Sequence, residues 1–260
     1  MSIILPILVL GILGLGFGLG LALAAKKFSV ASDPKLEAVL SSLPGANCGA
    51  CGKPGCFGFA ESLVKGEADI NACAVTEEGP RNKICQLLGL KVQEKAKTVA
   101  VLHCNGGDRV QDRFVYDGIP SCSAANMVSG GPKACVYGCL GFGDCVRACP
   151  FEAITMTGHN LPKVEREKCR ACGRCVQVCP KDLFSLIPQS AHYYTNCSSK
   201  DIGKNVLRVC SAGCIGCGKC QRACPCGKAI EVKDNLAVFD YERCTNAGEC
   251  FRVCPTKAIA

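Results

Sequence analysis

The 260-residue sequence has no tryptophan and only 5 tyrosines, 10 phenylalanines and 3 histidines. Aromatic rings are too few to fill large cores or to form the stacking platforms that hold single-stranded nucleic acid. His103, His159 and His192 are scattered and share no spacing with a metal motif, so they read as surface or core residues. No Gly-x-Gly-x-x-Gly follows a strand pattern, and there is no P-loop; direct binding of NAD or flavin is not expected. No base and nucleophile pair suggests hydrolysis, and no residue is given a catalytic role. Charge is missing altogether from Ile3 to Ala25.

That uncharged run of 23 residues makes about 34 Å of helix, enough to cross a hydrocarbon core of about 30 Å. A secretory signal would want basic residues before a shorter apolar stretch and a small-residue cleavage site. Here the first basic residues, Lys26 and Lys27, come after the run. The reading is a retained anchor over 1–27 at the inner (plasma) membrane, with the C-terminal bulk on the cytoplasmic side. A reducing compartment argues against a disulfide framework. Gly14/Gly18 and Gly16/Gly20 are small-xxx-small pairs that permit close helix approach, or simply reflect how common glycine is in such helices. The run offers no ionisable group to an ion, so any ion transport belongs to another subunit.

Against these absences stand 25 cysteines. At that density the choices are a disulfide scaffold, zinc modules or iron–sulfur clusters, and spacing decides. Four runs recur: Cys135-x3-Cys139-x5-Cys145-x3-Cys149-Pro150, Cys169-x2-Cys172-x2-Cys175-x3-Cys179-Pro180, Cys214-x2-Cys217-x2-Cys220-x3-Cys224-Pro225 and Cys244-x5-Cys250-x3-Cys254-Pro255. The full run is the bacterial ferredoxin signature, in which three cysteines wrap one [4Fe–4S] cube and the fourth reaches the other cluster. Proline after the fourth cysteine cannot donate an N–H or continue a helix, so the chain turns away there. Zinc sites use separated C-x2-C pairs instead.

Pairing the runs gives two ferredoxin-like units, 135–190 and 205–260. In the first, Cys149, Cys169, Cys172 and Cys175 are expected on one cluster. Cys139, Cys145 and Cys179 are expected on the other, where Phe142 occupies the middle slot and Cys135 is the candidate to supply the fourth thiolate. In the second, Cys214, Cys217, Cys220 and Cys254 form one set. Cys224, Cys244 and Cys250 form the last, with Ala247 in the middle slot. Either that site is [3Fe–4S], or another residue completes it: Cys226 is the leading candidate and Asp240 the weaker one. About five [4Fe–4S] clusters are implied, counting one in a small helical unit over 32–90 that carries Cys48-x2-Cys51-x4-Cys56-x16-Cys73. Cys56 there falls at an expected helix start, whose dipole favours a thiolate.

Within the helical unit, Asp33-Pro34 starts a helix over Lys35–Leu43, and a second helix is expected near Phe57–Lys65. Lys91–Lys97 reads as a charged linker. A connecting α/β segment over 98–134 has strand patterns at Thr98–His103 and Asp112–Tyr116. The fold class is therefore α+β: one transmembrane helix, a small helical 4Fe–4S domain and two tandem 2[4Fe–4S] domains. Cys85, Cys104, Cys122, Cys197 and Cys210 read as packing residues or have no assigned place. Lys168, Arg170, Arg174, Lys219 and Arg222 solvate the cluster faces or steer an acidic partner. The formal charge of +8 counts thiols as neutral. Each loaded site adds about −2, so five bring the total to roughly −2, which removes the main argument for a nucleic-acid partner.

Asn47-Cys-Gly-Ala-Cys-Gly-Lys-Pro-Gly-Cys56, the downstream Cys73, Cys104-Asn-Gly-Gly107 and Gly131-Pro-Lys-Ala-Cys-Val-Tyr-Gly-Cys-Leu-Gly141 resemble the B subunit of the Rnf-type ion-translocating electron transport complex. The resemblance covers nearly the whole chain. It implies a membrane-anchored polyferredoxin, itself non-catalytic, within a ferredoxin:NAD oxidoreductase that exports sodium or protons. Implied partners are reduced soluble ferredoxin as electron donor and the other membrane and peripheral subunits. The alternative is an iron–sulfur subunit of another membrane reductase without ion transport. The second ferredoxin unit, after Ser190, is absent from shorter family members, and Ala247 departs from the pattern.

Overall fold

The computed structural model describes residues 4–27, 33–91 and 96–260. Most of the expected linker at Lys91–Lys97 and the start of the helical unit at Ser32 lie outside the described residues. Helix α1 (Ile4–Lys27) carries Lys26 and Lys27 in its last turn, and the large apolar side chains described between Leu5 and Leu23 are exposed. A Cβ added at Gly14, Gly16, Gly18 or Gly20 would meet nothing within 4 Å. The helix is long and apolar enough to cross a membrane.

Next comes a three-helix unit of α2 (Pro34–Ser42), α3 (Gly55–Val64) and α4 (Glu78–Leu88). The Asp33 carboxylate caps α2 by accepting from the Lys35 amide at 2.9 Å, with Pro34 at the first helical position, as the sequence indicates. Gly89 closes α4 in the left-handed region, φ 67°. Val39, Phe59, Leu63, Ile70 and Ile84 form the core, and Cys85 is fully buried among them. Cys48, Cys51 and Cys56 pack on this core, and so do Phe151 and Cys172 from farther along the chain.

The rest of the chain is two copies of one plan. Strand β1 (Thr98–Leu102) is followed by α5 (Cys122–Met127), α6 (Asp144–Arg147), the hairpin β2 (Ile154–Met156) and β3 (Pro162–Val164), α7 (Arg174–Val178) and β4 (Phe184–Pro188). After α8 (Gly203–Val209) the plan repeats as α9 (Lys219–Ala223), the hairpin β5 (Ile230–Lys233) and β6 (Leu236–Phe239), and α10 (Glu249–Val253). β1 pairs antiparallel with β4, Leu102 opposite Phe184. In the second copy Thr195 bridges Ile259 in the same sense. The first strand of the segment 98–134 thus pairs into the first ferredoxin unit and covers amides that β4 would otherwise leave unpaired. The strand expected at Asp112–Tyr116 shrinks to one bridge, Asp112 to Lys133. Arg113 holds the chain there by donating to the carbonyls of Ser129 and Gly131.

Helices α6, α7, α9 and α10 each start after a glycine in the left-handed region: Gly143, Gly173, Gly218 and Gly248, φ 67–83°. Each of these glycines follows a middle slot of a cysteine run, so the chain reverses there and points the next cysteine inward. Cys145, Cys175, Cys220 and Cys250 are all buried as a result.

The two copies are joined at His103. Its Nδ1 lies 2.6 Å from the Thr195 carbonyl and its Nε2 2.6 Å from the Ser185 hydroxyl. A carbonyl only accepts, so Nδ1 carries the proton and Nε2 accepts from Ser185. Ser198 Oγ returns a bond to the His103 carbonyl at 3.0 Å.

Candidate iron–sulfur sites

Two equivalent cavities show how the runs close. One is lined by Cys139, Cys145, Cys179 and Cys122. The other is lined by Cys214, Cys217, Cys220 and Cys254. Four cysteines at equivalent places in the two units fit the same occupant in both. Backbone amides point at the sulfurs: Leu183 N–H donates to Cys179 Sγ at 3.5 Å, and the equivalent Ala258 N–H to Cys254 Sγ at 3.2 Å. Such bonds stabilise a buried thiolate.

The fourth cysteine of the first cavity is Cys122, not Cys135. Cys122 opens α5, whose cap Ser121 donates through its hydroxyl to Asp144 Oδ2 at 3.0 Å, while the Ser123 amide donates to the same oxygen at 3.1 Å. Asp144 begins α6, so this carboxylate ties Cys122 to Cys145. Phe142, in the vacant middle slot, packs on the cluster of Cys122, Ala125 and Leu140. Cys135 lies instead on Val110, Ala212 and Cys210.

Cys149 and Cys169 act electrostatically on Cys172, and Cys169 and Cys172 act on Cys175, so these four thiols are neighbours. Cys48 reaches the same neighbourhood, acting on Cys172. The Cys48–Cys73 loop is shaped by Asn47, whose Oδ1 accepts from the Cys56 amide at 2.8 Å. A Cβ at Gly55 would meet that oxygen at 2.8 Å. Cys56 does sit in the first turn of α3, and Thr76 Oγ1 donates to Cys73 Sγ at 3.0 Å.

At the last run, Cys244 and Cys224 act on Cys250. Cys226 neighbours Cys224 and lies 2.9 Å from Thr245 Oγ1, beside Cys244. The Thr245 hydroxyl and amide hold the Cys226 thiol below its ordinary pKa. Asp240 is occupied elsewhere: its Oδ1 accepts from the Glu242 amide at 3.0 Å and its Oδ2 pairs with Arg243 at 3.3 Å.

Burial pushes the thiols of Cys220 and Cys250 up to about 11 and those of Cys145 and Cys175 up to about 12. Thiolates so placed need bound cations to compensate them, which iron supplies. Among the described residues, no three His, Cys, Asp or Glu side chains close on a single ion position. One zinc would gather its sulfurs about 3.8 Å apart, whereas a cube holds them more widely. Of the basic residues near the clusters, Arg170 pairs with Glu77 at 3.0 Å and Lys168 with Glu165 at 2.8 Å.

A family profile described as "Putative Fe-S cluster" matches residues 43–75, and one described as "4Fe-4S dicluster domain" matches 134–183 and 213–258. Fold and cysteine geometry together define a multi-cluster iron–sulfur electron carrier. The chain is 42% identical over its full length to the B subunit of the Na(+)-translocating ferredoxin:NAD(+) oxidoreductase complex of Acetobacterium woodii, covering 78% of that protein. It is 41% identical to the B subunit of the ion-translocating oxidoreductase complex of Methanosarcina acetivorans, over 97% of this chain and 96% of that one. It is also 41% identical to the B subunit of the proton-translocating ferredoxin:NAD(+) oxidoreductase complex of Clostridium ljungdahlii, over 99% and 92%. The chain belongs to this family, the B subunits of Rnf-type ion-translocating oxidoreductase complexes.

Proposed function

We propose that this chain is the electron relay of a membrane-bound ferredoxin:NAD oxidoreductase, taking electrons from reduced ferredoxin and passing them to neighbouring subunits. The observation that carries the reading is the succession of four-cysteine groups along a chain related over its whole length to such subunits. When bound, [4Fe–4S] clusters supply one-electron transfer without bond making.

Five ligand sets go with this reading. They are Cys48, Cys51, Cys56 and Cys73; Cys149, Cys169, Cys172 and Cys175; Cys139, Cys145 and Cys179 with Cys122; Cys214, Cys217, Cys220 and Cys254; and Cys224, Cys244 and Cys250 with Cys226. The chain holds the first two sets together by packing Phe151 and Cys172 on the helical core, with Arg170 and Glu77 paired at the edge. The unit boundaries we assign are 33–91, 98–190 and 191–260, following the strand pairings.

Helix α1 anchors the chain, and Lys26 and Lys27 at its end set the cluster domains on the cytoplasmic side. The helix has no ionisable side chain before those lysines. Relatives named for sodium and for protons are about equally similar, which fits an ion path lying in other subunits.

Purification from membranes tests the reading. Several polytopic subunits should accompany the chain, and reduced ferredoxin should bleach its cluster absorbance. A lone chain without membrane partners, or one that reduced ferredoxin leaves unbleached, would overturn it.

A further inference from the structure

Four cysteines outside the five sets come together where the two ferredoxin units meet: Cys104, Cys135, Cys197 and Cys210. A Cβ added at Gly106 would lie 3.6 Å from Cys104 Sγ and 3.8 Å from Cys210 Sγ. One added at Gly213 would lie 3.8 Å from Cys197 Sγ and 3.8 Å from Cys210 Cβ. Cys210 packs on Cys135, and Val110 bridges Cys210. The Cys104, Cys197 and Cys210 thiols all act electrostatically on Cys135.

The four are two equivalent pairs. Cys104 stands two residues past Leu102, which faces Phe184; Cys197 stands two past Thr195, which faces Ile259. Phe184 and Ile259 are each five residues past the last cysteine of their unit, Cys179 and Cys254. Cys135 and Cys210 each precede the first run cysteine, Cys139 and Cys214, by four. The amides repeat too. Cys104 Sγ accepts from the Gly106 and Cys139 amides at 3.5 and 3.4 Å. Cys197 Sγ accepts from Ser199 at 3.4 Å and from the amide of Cys214. Cys135 and Cys210 accept from the amides of Tyr137 and Ala212. Each thiol thus receives the N–H two residues on, an arrangement suited to holding four sulfurs as thiolates.

We propose that Cys104, Cys135, Cys197 and Cys210 hold a sixth iron–sulfur cluster, a [4Fe–4S] cube that joins the electron paths of the two ferredoxin units. The ligation stands on the geometry alone; the linking role rests on the relay reading above. The placement suits the role. Cys139, whose amide donates to Cys104, belongs to the first cavity, and Cys214, whose amide donates to Cys197, belongs to the second. One electron arrives from one side and leaves to the other, with no proton or bond exchanged. Six loaded sites would bring the formal +8 to about −4.

The test is iron and zinc analysis with Mössbauer spectroscopy on the full chain reconstituted without oxygen, comparing Cys104→Ser, Cys210→Ser and the double variant. Because the two residues come from opposite units but share one cube, each single variant should lose about four irons per chain, and the double variant no more than either. Gly106→Val, which fills the space between the thiols, should lose the same four. Iron content unchanged in the singles, losses that add in the double, or one zinc lost in place of four irons would overturn the proposal. Cys175→Ser serves as the control: if it loses iron while Cys104→Ser does not, the relay reading stands and only the sixth site fails.

Discussion

Cys122 and Phe142 share one apolar cluster, and the cysteine lines the cavity that the phenylalanine's slot leaves without a ligand. The run is broken at its middle position, and a residue 20 positions upstream in the chain fills the gap. The ring then does a packing job, lying edge-on to Tyr116 at 5.5 Å.

Exchange of the two roles follows as a prediction. Cys122→Ala should remove one cluster and about four irons per chain. Adding Phe142→Cys to that variant restores the unbroken ferredoxin run and should return the iron, at a stability cost of about 1–2 kcal/mol for the lost ring packing. Iron analysis and the EPR spectrum of the reduced protein check both steps. Full iron in the single variant would exclude Cys122 as a ligand.

The last run poses the same question with a different answer. Cys226 arrives from the turn after Cys224-Pro225, and the Thr245 hydroxyl meets its sulfur. Cys226→Ala should alter the EPR or Mössbauer signal of one cluster only, converting it to a [3Fe–4S] form or lowering its occupancy. Ala247→Cys in that background should recover the [4Fe–4S] signal, because residue 247 is exposed and has room for a sulfur. An unchanged spectrum and iron content in Cys226→Ala would remove Cys226 from the site.

The cysteine runs made most of the fold readable from sequence, since a fixed spacing ends in a fixed turn. The capped start of α2, the burial of Cys85 and the pairing of runs all follow from local signals. What spacing could not convey is which distant cysteine enters a broken run. Cys135 is near Cys139 in sequence, yet their side chains pack in different clusters, and the chain turns at Gly138 between them. Cys122 carried a signal: Ser121 ahead of it is a helix cap, and a capped helix start presents its first side chain in a fixed direction. Cys104 and Cys197 became equivalent only once Leu102–Phe184 and Thr195–Ile259 were seen to pair, and no local pattern reports a long-range register.

The contact between the helical unit and the first ferredoxin unit should depend on packing more than on charge. Arg170 and Glu77 are 46% and 66% exposed, so Arg170→Ala should cost no more than about 1 kcal/mol. Phe151→Ala removes a half-buried ring from the shared core and should cost about 1–2 kcal/mol. It should also slow electron passage from the Cys48 group to its neighbour. Thermal midpoints and flash-reduction kinetics measure the two effects; equal midpoints for both variants would contradict this ranking.

Gly107 sets a second limit. Its φ is +52°, and a Cβ there would collide with the His159 carbonyl and press on Leu161. The neighbouring Asp108 Oδ1 accepts from Asn160 Nδ2 at 2.8 Å, so the chain after Cys104 is clamped to the β2–β3 turn. Gly107→Ala should therefore destabilise the first ferredoxin unit by about 1–3 kcal/mol. Gly158→Ala, in the same turn but with open space around it, is the control and should differ little from the unsubstituted protein. Thermal unfolding of the two variants would decide, and equal midpoints would refute the clamp.

Removal of iron should act unevenly along the chain. Helices α6, α7, α9 and α10 have only 4 or 5 residues each, far below the length at which a helix persists unaided. Cysteines hold a substantial share of the cores beside them, Cys145 and Cys175 in one unit and Cys220 and Cys250 in the other, with further cysteines packed against both. Without metal those thiols leave a small apolar residue of core and several buried groups whose charged form is disfavoured. The helical unit differs, because Val39, Phe59, Leu63, Ile70 and Ile84 form a core independent of any ligand. Chelation under reducing conditions should therefore unfold residues 98–260 while α2, α3 and α4 keep their helix. Hydrogen exchange with mass spectrometry would show full exchange in the first region and retained protection in the second. Protection lost equally in both would mean that the helical unit also depends on its cluster for folding.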